Sequence, residues 1–175
     1  LQWLPSYEKV LIYDKDPIRV EQSIKEAELL FCVDYNAFHR TGEKVAQLLE
    51  KSQAIKFLID HHPNPDNIFD ARISDTSSSS TAELIFRLIE DFGDLDKINA
   101  SVAEGLYTGL LTDTGSFSFS IYSDKPYLIA AFLYNTGIDL PAINQRIYNA
   151  FTENRLRLTG YAISEKLVVN HSYRF

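Results

Sequence analysis

What the chain lacks narrows its class. A single cysteine, Cys32, excludes a disulfide framework and points to a reducing compartment, with the cytoplasm as the expected location. No apolar run reaches the roughly 18 residues that a membrane span needs, and the opening residues do not follow a signal-peptide pattern. No membrane partner is therefore expected. Positive charge is also short: 17 Lys and Arg face 24 Asp and Glu, a formal net charge of -7. That balance argues against a broad electrostatic grip on long duplex DNA. A small nucleotide held through metal ions stays open, because a bound cation inverts the local sign. No internal repeat is present. What remains is 175 residues, 45% hydrophobic and 23% charged, which suits one globular domain with part of a second.

Apolar runs and their punctuation predict strands alternating with helices. Leu29–Val33 and residues 55–59 read as buried strands, with shorter strands expected at 10–13 and 69–73. Pro17, behind the cap residue Asp16, opens a predicted helix to about Ala27. Thr41 is expected to cap a helix through Lys51, with Val45, Leu48 and Leu49 on one face. Further helices are expected at 82–90, 98–111, 126–135 (capped by Asp124), 141–148 and 153–166. Residues 117–120 alternate as a brief extended segment would, and residues 168–175 read as the start of another strand. The fold class this predicts is α/β: a mainly parallel sheet with helices on both faces.

Three apolar elements end in an acid or a histidine: Val33-Asp34, Ile59-Asp60-His61-His62 and Leu111-Thr112-Asp113. In open α/β sheets ligands bind beyond the carboxyl ends of the strands. Parallel neighbouring strands would bring Asp34 and His61 side by side, and Asp113 would arrive from the end of a helix. Two carboxylates and an imidazole suit Mn²⁺, and less exclusively Mg²⁺ or Zn²⁺. A carboxylate that bridges two ions is the usual basis of a two-metal phosphoester site. The residues alone leave the ordinary reading open, because a single Asp at a strand end also serves as a turn or cap. His61-His62 is less ordinary: on a strand, adjacent side chains take opposite faces, so the two histidines should not share one core. The Ser77-Ser78-Ser79-Ser80-Thr81 run feeds directly into a helix. It reads as a helix N-terminus, where free N–H groups favour anions, rather than as a linker. Cys32 reads as core, His39 and His171 as surface residues, and Asp14-x-Asp16 as a cap.

Together these residues resemble a known family. Asp60-His61-His62-Pro63 is similar to the signature that names the DHH phosphoesterases. Asp34, within Cys32-Val33-Asp34-Tyr35-Asn36, resembles the family's second motif, and residues 108–117 around Asp113 resemble its fourth. Ser79-Ser80-Thr81-Ala82-Glu83-Leu84 and Arg155-Leu156-Arg157-Leu158-Thr159-Gly160-Tyr161 resemble the branch of bifunctional oligoribonucleases and 3′-phosphoadenosine 5′-phosphate (pAp) phosphatases, the nanoRNases. The resemblance implies a hydrolase of short oligoribonucleotides or pAp that uses two Mn²⁺ ions, with Mg²⁺ as the other candidate. Cyclic or linear dinucleotides are the alternative substrates. It implies metal ligation by Asp34, His61 and Asp113, with Asp34 bridging. His62 would face the phosphate or leaving group, Asp60 would orient an imidazole, and Ser79, Ser80 and Arg157 are candidate phosphate contacts.

The resemblance also sets expectations about organisation. Residues 1–150 would be part of the catalytic domain, and residues 151–175 a connector towards a C-terminal substrate domain. The family's first motif, an Asp-x-Asp pair followed by Gly-Ser, has no counterpart before Asp34. The chain is therefore expected to be the middle of a longer enzyme, truncated at both ends and inactive alone, with apolar surface left uncovered. The opposing expectation is a non-catalytic domain with an incomplete metal site. A homodimer is the expected assembly.

Overall fold

The computed structural model describes residues 1–119, 123–169 and 172. They belong to two compact units, Leu1–Ile138 and Asp139–Phe175.

In the first unit, Leu29–Val33 (β1), Ile55–Asp60 (β2) and Ala71–Ser74 (β3) form one parallel sheet in the order β1-β2-β3. Parallel strands need a crossover. Between β1 and β2 it is made by Glu43–Lys51 (α2), whose Ala46 and Leu49 pack with Phe38 against Cys32 and Leu58 of the sheet. Cys32 and Leu58 are register partners, so one face of both strands meets one stripe of the helix. Burial pushes the Cys32 thiol up, as expected of a core residue. Pro17–Glu26 (α1) begins as the sequence predicts, with Asp16 accepting a hydrogen bond from the Arg19 N–H.

Thr81–Asp91 (α3), Ala100–Asp113 (α4) and Lys125–Tyr134 (α5) follow the sheet. The α3–α4 crossing is tight because Gly109 faces Ala82: a Cβ at Gly109 would come within 2.9 Å of the Ala82 Cβ. Phe86 of α3 meets Phe132 of α5 edge-on, with ring centroids 5.3 Å apart. Among the described residues β1 is an edge strand, and its Leu29 and Phe31 are exposed. The second unit holds Leu140–Asn144 (α6), running into a π-helical turn at Gln145–Asn149, and Glu153–Tyr161 (α7), running into another at Ala162–Lys166. No helix among the described residues is long and apolar enough to cross a membrane.

Four local expectations are corrected. Residues 10–13 are not a strand; Ile12 instead accepts turn hydrogen bonds from the N–H groups of Lys15 and Asp16. Thr41 does not cap α2. It closes the 3-10 turn Phe38–Thr41 by donating to the Phe38 carbonyl, and Gly42 takes the cap position. The third strand starts at Ala71 rather than Phe69, whose ring meets Phe38 edge-on. Residues 117–119 are a turn, not an extended segment, because Gly115, Ser116 and Phe117 all take left-handed φ angles. Of the remaining expectations, Ser120, most of the segment after Val169, and His171 lie outside the described residues.

Candidate metal centre

The register aligns Val33, the last residue of β1, with Ile59, so β2 runs one residue further, to Asp60. Their acids then diverge. Asp34 leaves β1 with φ 64°, a left-handed conformation that Asp tolerates better than most residues, while its N–H still bonds the Ile59 carbonyl at 3.1 Å. Asp60 stays on β2 opposite Ser74 and is 0% exposed. A buried carboxylate needs partners. Asp60 has two: it accepts from the His62 backbone N–H at 3.2 Å, and it lies 2.7 Å from His62 Nδ1.

His61 and His62 come after β2 has ended, so strand alternation does not apply to them. The two rings do not take opposite faces as expected; they pack edge-on, with centroids 4.7 Å apart. His61 places Nδ1 3.4 Å from the Ser78 carbonyl. An acceptor at Nδ1 places the proton there and leaves Nε2 as a free lone pair, the tautomer a metal ligand needs. Asp60 does the same for His62. The loop beyond the histidines is tied back to the end of β1. The Asn36 amide donates to the Pro63 carbonyl at 2.7 Å, and the Asp66 N–H donates to the Asn36 carbonyl at 2.9 Å.

His61 Nε2 faces two carboxylates at once, Asp34 Oδ1 and Asp113 Oδ2, each 3.9 Å away. Asp113 reaches this point as the last residue of α4. Those separations are too long for hydrogen bonds. They match donors sharing one ion, which at about 2.1 Å from each donor sets neighbouring donors roughly 3–4 Å apart. Asp34, His61 and His62 form a group able to hold a metal ion, with ligand atoms all within 4.8 Å of one another. The residues present therefore fit a divalent cation. Burial holds the Asp113 carboxyl above its ordinary range, and the Asp34 charge pushes it the same way, against His61 and His62. A cation between the two carboxylates would relieve that repulsion.

The remaining predicted contacts sit differently. Ser80 is the N-cap of α3, its hydroxyl accepting from the Glu83 N–H at 3.1 Å. Ser79 donates both its N–H and its hydroxyl to Glu83 Oε2, each at 2.8 Å. Both serine side chains thus close the start of the helix. Arg157 lies in the second unit, exposed and paired with Glu153. The sequence reading passed over Thr81, whose hydroxyl donates to Asp34 Oδ1 at 2.8 Å. The Ser80-x-x-Glu83 spacing is legible as a capping box. Nothing local signals a contact between residues 47 positions apart. A separate cleft lined by Phe86, Arg87, Leu128 and Phe132 contains none of these residues.

Fold and site together define an α/β domain whose parallel strands end at a cluster of acids and histidines able to hold a metal ion. Residues 3–110 match the N-terminal domain of the DHH family, and the chain belongs to that family. The chain is 36% identical over 107 residues to the bifunctional oligoribonuclease and PAP phosphatase NrnA of Bacillus subtilis, a match over 59% of this chain and 33% of that protein. It is 28% identical over 127 residues to the cyclic-di-AMP phosphodiesterase PdeA of Listeria monocytogenes, over 71% of this chain and 19% of that protein. The crystal structure of an exopolyphosphatase-related protein from Bacteroides fragilis superposes with a TM-score of 0.92 at 37% identity, covering 97% of this chain and 49% of that one. The chain thus spans half or less of these relatives.

Proposed function

We propose that this chain carries the metal-binding part of a phosphohydrolase acting on short oligoribonucleotides or pAp. The observation behind the reading is the convergence on His61 Nε2 of two carboxylates, Asp34 and Asp113, each 3.9 Å from that atom. Asp34, His61 and Asp113 would hold a pair of Mn²⁺ or Mg²⁺ ions, Asp34 bridging. Bound ions would supply a water nucleophile at neutral pH and neutralise charge at the phosphate. The chain's own side chains do the positioning. Asp60 lies 2.7 Å from His62 Nδ1, which would leave Nε2 for the phosphate or leaving-group oxygen or, in the Asp34–His61–His62 group, for an ion. The similarity to NrnA supports the substrate class. The similarity to PdeA favours a second reading, cyclic or linear dinucleotides.

The same reading makes residues 1–150 part of the catalytic domain and 151–175 a connector, with little activity in this segment alone. It places the protein in the cytoplasm as a homodimer, without a membrane or long duplex DNA as partner. The test is a substrate panel for the full-length protein with Mn²⁺: diribonucleotides, a longer oligoribonucleotide, pAp, cyclic di-AMP and pyrophosphate. Hydrolysis of diribonucleotides or pAp that stops on chelation is expected. Preference for cyclic di-AMP would select the second reading, and no turnover of any phosphodiester or of pAp would sink both.

A further inference from the structure

Resting on that metal-site reading, we propose that Thr81 is a positioning residue for Asp34 and that the start of α3 acts as a bracket for the metal donors. The segment between β3 and α3 turns most of its hydrogen bonds inward. Asp75 accepts from the Ser77 N–H at 2.9 Å and hydroxyl at 2.6 Å, and from Arg87 of α3 at 3.2 Å. The buried Glu83 holds the N–H and hydroxyl of Ser79, and Ser80 caps the helix. The Asp75 N–H also bonds the Asp60 carbonyl at 3.3 Å, tying the segment to β2. Besides that N–H, two groups of this segment point away from it, both to donor residues. The Ser78 carbonyl meets His61 Nδ1, and the Thr81 hydroxyl meets Asp34 Oδ1.

The direction of the Thr81 bond is informative. A Thr in the first turn of a helix ordinarily bonds within its own segment. Thr81, buried at 3% exposure, instead spends its one hydroxyl proton on a half-exposed carboxylate at the end of another element. Asp34 needs such a restraint. Its backbone has left the strand in a left-handed conformation, and among the described residues its half-exposed side chain has no other hydrogen bond to hold it. Donation to one lone pair of Oδ1 leaves the other lone pair, and both on Oδ2, for cations. Thr81 is the first residue of α3, so the helix start sets where its hydroxyl, and with it Asp34 Oδ1, lies.

The test is a Mn²⁺ titration of the metal-free full-length protein, read as free Mn²⁺ by electron paramagnetic resonance, with metal-free Tm measured alongside. Thr81→Val keeps the shape and removes the hydroxyl; Thr81→Ser keeps the hydroxyl. Thr81→Val should weaken Mn²⁺ binding by about tenfold, and Thr81→Ser should restore it to within about threefold of wild type, with metal-free Tm little changed. Should Thr81→Val fail to fold, Thr81→Ala, which adds no bulk at the helix start, is read in the same way. Wild-type Mn²⁺ affinity in Thr81→Val, with affinity lost in Asp34→Asn, would overturn the positioning role and leave the metal site standing. Equal losses in Thr81→Val and Thr81→Ser would also overturn it. Unchanged affinity in Asp34→Asn as well would remove the metal-site reading and this proposal together.

Discussion

Asp34 and Asp60 leave neighbouring parallel strands at the same end of one sheet, yet they are opposite in character. Asp60 remains on its strand, is fully buried, and spends its oxygens on His62. Asp34 steps off its strand, is half-exposed, and faces His61 at 3.9 Å, too far for a hydrogen bond. One residue of difference in where the strand stops separates a carboxylate that holds a side chain from one that can hold an ion. Asp75, just past β3, is a third case: it serves a loop, bonded to Ser77 and Arg87. The carboxyl end of a parallel sheet collects acids readily. What each does depends on which groups reach it first.

The sharpest way to break this contrast is to remove Asp34. Asp34→Ala should reduce turnover of the full-length protein to background while changing metal-free stability by no more than about 1 kcal/mol, because the half-exposed carboxylate gives up only the hydrogen bond from Thr81. Normal kcat would end its assignment as a metal donor. Asp60→Ala should show the converse balance. It takes the partner from the part-buried His62 ring and N–H and should cost about 1–3 kcal/mol in denaturant unfolding. Activity should fall about 10–100-fold rather than vanish. If the two variants lose stability equally, the distinction between them is wrong.

Gly109→Ala probes the contrast from a distance. Its new Cβ would press on Ala82 and push α4, which carries Asp113, from α3, which carries Thr81. A cost of roughly 1–3 kcal/mol is expected, with weaker Mn²⁺ binding and the Asp60–His62 pair untouched. Undiminished stability would mean that the crossing is looser than its 2.9 Å approach implies.

The smallest effect belongs to Asp75. The Ser77 hydroxyl chiefly, then the Ser77 N–H and Arg87, hold its carboxyl below the usual range against the opposing effect of burial. A depressed carboxylate stabilises the fold above its unfolded value of about 3.9, and that stability is lost as pH falls through the lower native value. Asp75→Asn should therefore lower Tm at neutral pH, and the gap from wild type should close below about pH 4. A gap that widens in acid would contradict the hydrogen bonds drawn to this residue.

Much of the fold was legible because its signals are local. Leu29–Val33 is a strand as read, although only Cys32 of it is buried where a buried strand was expected; residues 55–59 lie within β2, and α1 starts at Pro17 behind Asp16. The misreadings fall where tertiary partners decide. Residues 10–13 have a strand's composition but hydrogen-bond as a turn, and Phe117 takes a left-handed turn that an aromatic residue gives no reason to expect. At the site, the Asp60-His61-His62 cluster and the acids Asp34 and Asp113 stood out as polar residues closing apolar runs. The pairing of Asp60 with His62, rather than His61, did not, because it depends on β2 ending one residue before the histidines.

By itself, then, the sequence determined which residues can carry charge at the ends of buried elements, since strand and helix periodicity are written in neighbouring positions. Only the tertiary structure decided which of them meet. The register that aligns Val33 with Ile59, the α3–α4 crossing at Gly109 and the reach of Thr81 to Asp34 all join residues far apart in the chain. Such contacts are set by how whole elements pack, and spacing along the chain does not encode them.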